Sequence, residues 1–176
     1  MFHPGTSALI EAWTALPGAG RIPARADFDP MALALHLPRL FAAGRGEAER
    51  WPLRLTGGWI ERVDGRNLTG FDWLEMWRPD SRPMAAAAIR QSIREARPVV
   101  LIAESPRLVA PVEVVLAPLR DRSGAADRLI GLYQPLDADD LAAEAVGALS
   151  IRLSVAAGDS RRAPLSLATL DGRRIA

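Results

Sequence analysis

Apolar positions recur every three to four residues through "TSALIEAWTAL" (6–16), with Leu9, Ile10, Trp13 and Leu16 on one side. This spacing predicts a first helix, capped by Thr6 or Ser7 and ended by Pro17 and Gly18. "GRIPARADFDP" (20–30) breaks the period and predicts an extended connector, with Phe28 as its anchor to the core. Asp29 is placed to accept hydrogen bonds from the free amides of a second, short helix, and Pro30 suits its first position. That helix, "PMALALH", should stop near Leu37-Pro38. Apolar runs at 39–43 and 51–56 flank a polar, glycine-containing connection and predict a β-hairpin with Trp51, Leu53 and Leu55 on one face.

Residues 57–77 predict short helical pieces, "GWIERV" and "FDWLEMW", around the turn "DGRNLTG". The longest helical pattern is "DSRPMAAAAIRQSIREA", capped by Asp80 or Ser81, with Ala85, Ile89, Ser92, Ile93 and Ala96 along one face. After Pro98 the texture is β: "VVLIAE", "PVEVVLAPLR" and "DRLIGLYQPL" predict three strands separated by Pro- and Gly-rich connections. Five strands interrupted once by helices predict an α+β domain, an antiparallel sheet covered on one face. Beyond 136 the patterns weaken: "DADDLAAEAVGAL" is compatible with a helix and "LSIRLSV" alternates like a strand. The expected organisation is an N-terminal helix and linker (1–28), a core (29–136) and a C-terminal extension (137–176) that either packs on the sheet or is mobile.

Composition narrows the chemistry. The chain has 176 residues, enough for one sizeable core, with a formal net charge of +1 that creates no strong field toward nucleic acid or anionic lipid. All 22 basic residues are arginine. They are scattered along the sequence, which suits a coding bias better than selection for bidentate anion contacts. Cysteine is absent, which removes disulfides, zinc-thiolate sites, iron-sulfur clusters and thiol nucleophiles together. The opening "MFHPG" has neither a basic segment nor an apolar run, and no stretch is long enough to span a membrane. A cytoplasmic location is therefore expected, and Asn67-Leu68-Thr69 is a chance glycosylation match.

No catalytic constellation emerges. Asp27 and Asp29, two apart on an extended chain, point to opposite sides. Asp29 serves as a cap, and Asp27 is free to pair with Arg25 or Arg21. Asp139-Asp140 suits a helix start better than a metal site. His3 and His36 are too few and too far apart for a metal triad. Ser105 and Ser160 lack the G-x-S-x-G setting, and "GAG" at 18–20 is not followed by the lysine of a phosphate loop. Arg161, Arg162, Arg173 and Arg174 would have to act together as a basic stripe for nucleic-acid binding, which is not expected.

Several fragments are more specific than the overall pattern. Trp13, Ile22-Pro23-Ala24-Arg25, Asp29-Pro30, Leu37-Pro38, Leu53-Arg54-Leu55-Thr56-Gly57 and Gly65-Arg66-Asn67-Leu68-Thr69-Gly70 stand in register. Over residues 7–136 they resemble a PAS domain, and in particular a subfamily of small, often single-domain alphaproteobacterial PAS proteins. Ala12, Gly58 and Asn67 depart from the subfamily's usual aromatic, Thr and acidic residues. The resemblance implies a PAS-like five-stranded antiparallel sheet, with short helices and one longer helix over one face, plus the N-terminal helix. It also implies a non-enzymatic sensory or adaptor role, with a small ligand of unknown identity between sheet and helices and a signalling protein or a second copy as partner. A cofactor is not specified. Without cysteine the flavin-cysteinyl adduct and thioester-linked chromophores are excluded, while a non-covalent flavin has no positive support.

On that reading Trp59, Trp73, Met76 and Trp77 either fill the core or wall the cavity, together with Ile93 of the long helix. Arg54 either binds a ligand carboxylate or phosphate, or pairs with Asp64 or Glu61 to fix the next turn. Ile10 and Trp13 are the candidate dimer contacts, unless the first helix docks on its own sheet. The competing reading is a small hydrolase or isomerase built on an α+β cavity, which would show two or more convergent titratable groups.

Overall fold

The computed structural model describes residues 1–18 and 21–157. Ser160 and the four C-terminal arginines considered as a basic stripe lie outside the described residues. The chain opens with helix α1 (Pro4–Thr14), passes through a 3-10 segment (Pro30–Arg39), and forms strands β1 (Leu40–Gly44) and β2 (Leu53–Thr56). Helix α2 (Gly58–Asp64), a 3-10 turn (Trp73–Met76) and helix α3 (Arg82–Glu95) follow. Strands β3 (Val99–Glu104), β4 (Val112–Leu119), β5 (Arg128–Pro135) and β6 (Ser150–Ala156) complete the described fold.

All strand pairs are antiparallel, in the order β2-β1-β5-β4-β3-β6. The sheet thus has six strands where five were expected. The alternating "LSIRLSV" supplies the sixth, pairing with β3 from Val99↔Ala156 to Glu104↔Ser150. This strand is also fastened from the helical layer, because the Ile151 amide donates to Ser81 Oγ at 3.0 Å. The anticipated helix over 137–149 is reduced to one 3-10 turn (Asp139–Ala142) followed by extended chain. Asp140 explains why. Its buried carboxylate turns away from that turn and accepts from the amides of Val109 (2.8 Å) and Ala110 (3.0 Å), tying the β3–β4 loop to the extension.

The sheet is covered on both faces. On one, Phe41, Leu53, Val99, Leu101, Val114, Leu116 and Tyr133 meet α2, the Trp73–Met76 turn and α3. On the other, Val100, Val115, Ala117, Ile130 and Leu132 meet Leu9 and Trp13 of α1, together with Phe28 and Leu33. Burial on both sides makes β4 buried at every position, the reason it reads as one nearly continuous apolar run. The N-terminal connector behaves as the pattern implies. Phe28 is buried, and Asp29 caps the 3-10 segment by accepting from Met31 N at 2.9 Å.

Three local differences have identifiable causes. Helix α1 begins earlier than expected, because Pro4 takes the first position and His3 Nδ1 accepts from Gly5 N at 3.1 Å. Ser81 precedes α3 but does not cap it, its hydroxyl being engaged with β6. The β1–β2 register jumps between Ala43↔Leu53 and Ala42↔Leu55, leaving Arg54 as a bulge. A bulge inserts one unpaired residue, so the alternation slips. Leu55 therefore leaves the face of Trp51 and Leu53 and is 48% exposed.

Candidate functional site

The inner face is built around an aromatic cluster. Phe41 stacks on Trp73 (centroids 5.6 Å apart) and meets Tyr133 edge-on at 5.6 Å, while Trp77 lies edge-on to Trp73 at 5.2 Å and parallel to Tyr133 at 6.4 Å. Phe41 reaches this position because Gly131 lies opposite it on β5. A Cβ there would come within 2.2 Å of the ring and 2.6 Å of the Val115 carbonyl. All four side chains are buried. Burial pushes the Tyr133 hydroxyl well above the ordinary phenol range. Among the described residues, neither the Tyr133 hydroxyl nor the indole nitrogens of Trp73 and Trp77 reach a hydrogen-bond partner.

Beside this cluster, between α3 and the β1–β2 connection, lies a cavity of about 290 Å³. Trp51, Ala86, Ile89 and Ile93 form its apolar surface, with Arg45, Glu49, Arg90 and Arg94 around the opening. Trp51 is held from three sides. Its amide donates to Asp72 Oδ1 at 2.9 Å, its carbonyl accepts from Trp73 N at 2.9 Å, and the neighbouring Arg50 lies 3.6 Å from Asp72 Oδ2. Asp72 also caps the Trp73–Met76 turn through Leu74 N at 3.1 Å, so one buried carboxylate couples the cavity wall to the aromatic cluster. At the opening, Glu49 lies 3.6 Å from Arg45 and 3.9 Å from Arg90. Of these exposed pairs the Glu49–Arg90 one spans the gap between turn and helix, and each is weak enough to part readily.

Of the residues anticipated as ligand contacts, Ile93 lines this cavity. Trp73, Met76 and Trp77 belong to the packed cluster beside it. Trp59 is buried on α2 and donates from Nε1 to the Asp140 carbonyl at 3.2 Å. Arg54 sits on the exposed bulge and makes no ion pair with Asp64 or Glu61. Asp64 is taken by Arg66, while Glu61 accepts from Thr56 Oγ1 at 2.8 Å. Trp13 is 3% exposed and donates to the Pro118 carbonyl at 2.8 Å. A second copy reaches it only if α1 leaves the sheet. Ile10 is half-buried on the same packed face.

Cavity-lining residues that sequence reasoning did not single out for a site include Trp51, Arg45, Arg90 and Arg94. Trp51 shares its face with Leu53, which was visible, but the helix that closes over it is long-range information. Among the described residues, no group of three or more His, Asp or Glu is assembled for a metal, and no helix is long and apolar enough to cross a membrane.

A family model described as "PAS domain" matches residues 1–134. The chain belongs to the PAS domain family. The matched residues take in α1 and end before β6. No curated protein matches in sequence. Among solved structures, similar ones include a light-oxygen-voltage domain studied with a flavin analogue, at 14% identity and TM-score 0.47, covering 62% of this chain and 84% of that one. The dark-state LOV domain of the blue-light photoreceptor Aureochrome1 aligns at 15% identity and TM-score 0.47, covering 63% and 84%. A Rhodobacter sphaeroides LOV protein aligns at 21% identity and TM-score 0.43, covering 57% and 60%.

Proposed function

We propose that this PAS domain is a sensory or adaptor module that holds a small, largely apolar ligand between α3 and Trp51 and passes occupancy to a signalling protein by contact. The observation that carries this is the cavity itself: an apolar surface of Trp51, Ile89 and Ile93 beneath a ring of arginines. That division suits a compact aromatic or aliphatic body with an anionic end. Glu49, the carboxylate in the lining, is engaged with Arg45 and Arg90, so the cavity presents surfaces for holding a molecule rather than a nucleophile with its base. Parting the Glu49–Arg90 pair would loosen the β1–β2 turn from α3 and change the outer surface. Because α1 already buries Trp13 against its own sheet, contact with a different protein is favoured over dimerisation through α1.

Naphthoate, which pairs an aromatic body with one carboxylate, is a suitable probe. We expect saturable one-to-one binding that quenches tryptophan fluorescence and is weakened at least tenfold by Ile93→Trp, a substitution that fills the cavity from its half-buried edge. Binding unaffected by Ile93→Trp in a folded variant, or no binding at millimolar naphthoate, would refute the site. Native mass spectrometry of protein from its own host would then reveal any retained partner.

A further inference from the structure

The arginines that look scattered in the sequence are not all scattered in space. Arg25, Arg120, Arg122 and Arg128 line one cleft of about 710 Å³, bounded by the 24–26 connector and the β4–β5 hairpin. The lining holds four arginines against one aspartate, Asp121, a charge of +3 where the whole chain carries +1. Among the described residues only Arg128 of the four has a carboxylate within ion-pair distance, Asp127 Oδ2 at 2.9 Å. Asp121 faces its own turn, with Oδ1 accepting from Ser123 N (2.8 Å) and Ser123 Oγ (2.6 Å).

The scaffold beneath is fixed. Arg25 N donates to the Arg120 carbonyl and Arg120 N to the Pro23 carbonyl, each at 2.8 Å. Arg120 Nε donates to the Ile22 carbonyl at 2.5 Å, and Arg25 Nη1 to the Phe28 carbonyl at 3.3 Å. The two backbone bonds fix the connector against the hairpin, and the two side-chain bonds anchor the Arg120 and Arg25 guanidiniums while leaving other N–H donors available. Guanidiniums gathered in excess of their counter-charges repel one another, and their planar forks match phosphate oxygens two at a time. The lining offers no aromatic surface for stacking a base, so the phosphate group is the part recognised.

We propose that this cleft binds a small phosphoanion, a ligand carrying a pyrophosphate or two closely spaced phosphates. The site is separate from the cavity under α3, and the two share no lining residue.

The test is isothermal titration calorimetry of the full chain with inorganic pyrophosphate, with Arg25→Gln, Arg122→Gln and, as a control, Arg78→Gln, an exposed arginine outside the cleft. A single saturable site is expected, weakened about tenfold by each cleft substitution and unchanged by Arg78→Gln. Thermal melts check folding. Arg122 is exposed and holds no described hydrogen bond, so its variant decides if Arg25→Gln proves unstable. No binding at millimolar pyrophosphate, or equal weakening by Arg78→Gln, overturns the proposal. A second arm uses a short single-stranded oligonucleotide, and tighter binding of it, lost in the cleft variants, overturns the small-molecule assignment.

Discussion

Replacing Tyr133 by Phe should make this protein more stable, and increasingly so in alkali. The hydroxyl is buried and lacks a hydrogen-bond partner among the described residues, so removing it deletes an unsatisfied group and should gain about 1 kcal/mol at neutral pH. The pH dependence follows from the raised ionisation of this phenol, caused first by burial. Below about pH 10 the folded and unfolded chains both hold the proton, and Tyr133 adds no slope. Above it the unfolded chain loses the proton and the folded chain keeps it, so stability falls by about 1.4 kcal/mol per pH unit. By pH 11.5 the cumulative loss is about 2 kcal/mol, a sizeable part of the stability of an ordinary domain.

The chain makes this measurement unusually clean. It has no lysine and no cysteine, and Tyr133 is its sole tyrosine. Every other titratable group is common to the two proteins. Urea unfolding of wild type and Tyr133→Phe from pH 8 to 11.5 should give curves that diverge above pH 10, with the variant flatter. Tyrosinate absorbance should appear only with unfolding. A variant that is less stable at neutral pH, or a difference that does not grow with pH, would refute the argument, because either result requires a hydroxyl that is hydrogen-bonded or free to ionise.

Asp140→Ala removes two amide hydrogen bonds to a buried carboxylate and should cost about 2 kcal/mol, with amide exchange accelerating at Val109 and Ala110. Ala96 ends α3 at φ 48°, in the left-handed region, so Ala96→Gly should stabilise by roughly 0.5 kcal/mol, read as a higher denaturation midpoint. Burial first, then the positive charge of Arg39 and of His3, lowers the proton affinity of His36, whose Nδ1 lies 2.9 Å from Arg39 Nη2. The unfolded chain therefore takes up this proton first as pH falls through about 6.5. Stability should drop on acidification, with a shallower fall in His36→Gln across pH 7 to 5.

The elements with one strong local signal were legible in the sequence. Asp29-Pro30 specifies its cap within three residues, α3 carries its own period, and β4 and β5 declare themselves by strongly apolar stretches interrupted by single polar residues such as Glu113 and Gln134. What escaped depended on distant partners. A bulge at Arg54 leaves no mark in a four-residue strand whose alternation looks perfect, and it is fixed only when β2 meets β1. The segment over 137–149 has helical composition, but Asp140 is drawn to amides some thirty residues earlier, and that competition is decided by tertiary contact. His3 caps α1 with a ring nitrogen, a role the usual list of hydroxyl and carboxylate caps does not cover.

Charge shows the same limit most sharply. Ninety-five residues separate Arg25 from Arg120, and nothing in either neighbourhood marks them as a pair. They meet because a connector that pairs with nothing nearby in sequence forms a bridge to the end of β4, Ala24 against Arg120. The connector's composition, two prolines and few core-formers, identifies it as a joint, and as a joint it was recognised. Its second consequence, that it carries Arg25 to a hairpin bearing three more arginines, exists only once the sheet has formed. A uniform use of arginine over lysine can arise from coding bias alone, yet it supplies a forked donor wherever the fold brings such side chains together. Clustering in space, and not spacing along the chain, is therefore the observation that separates an anion site from a compositional habit.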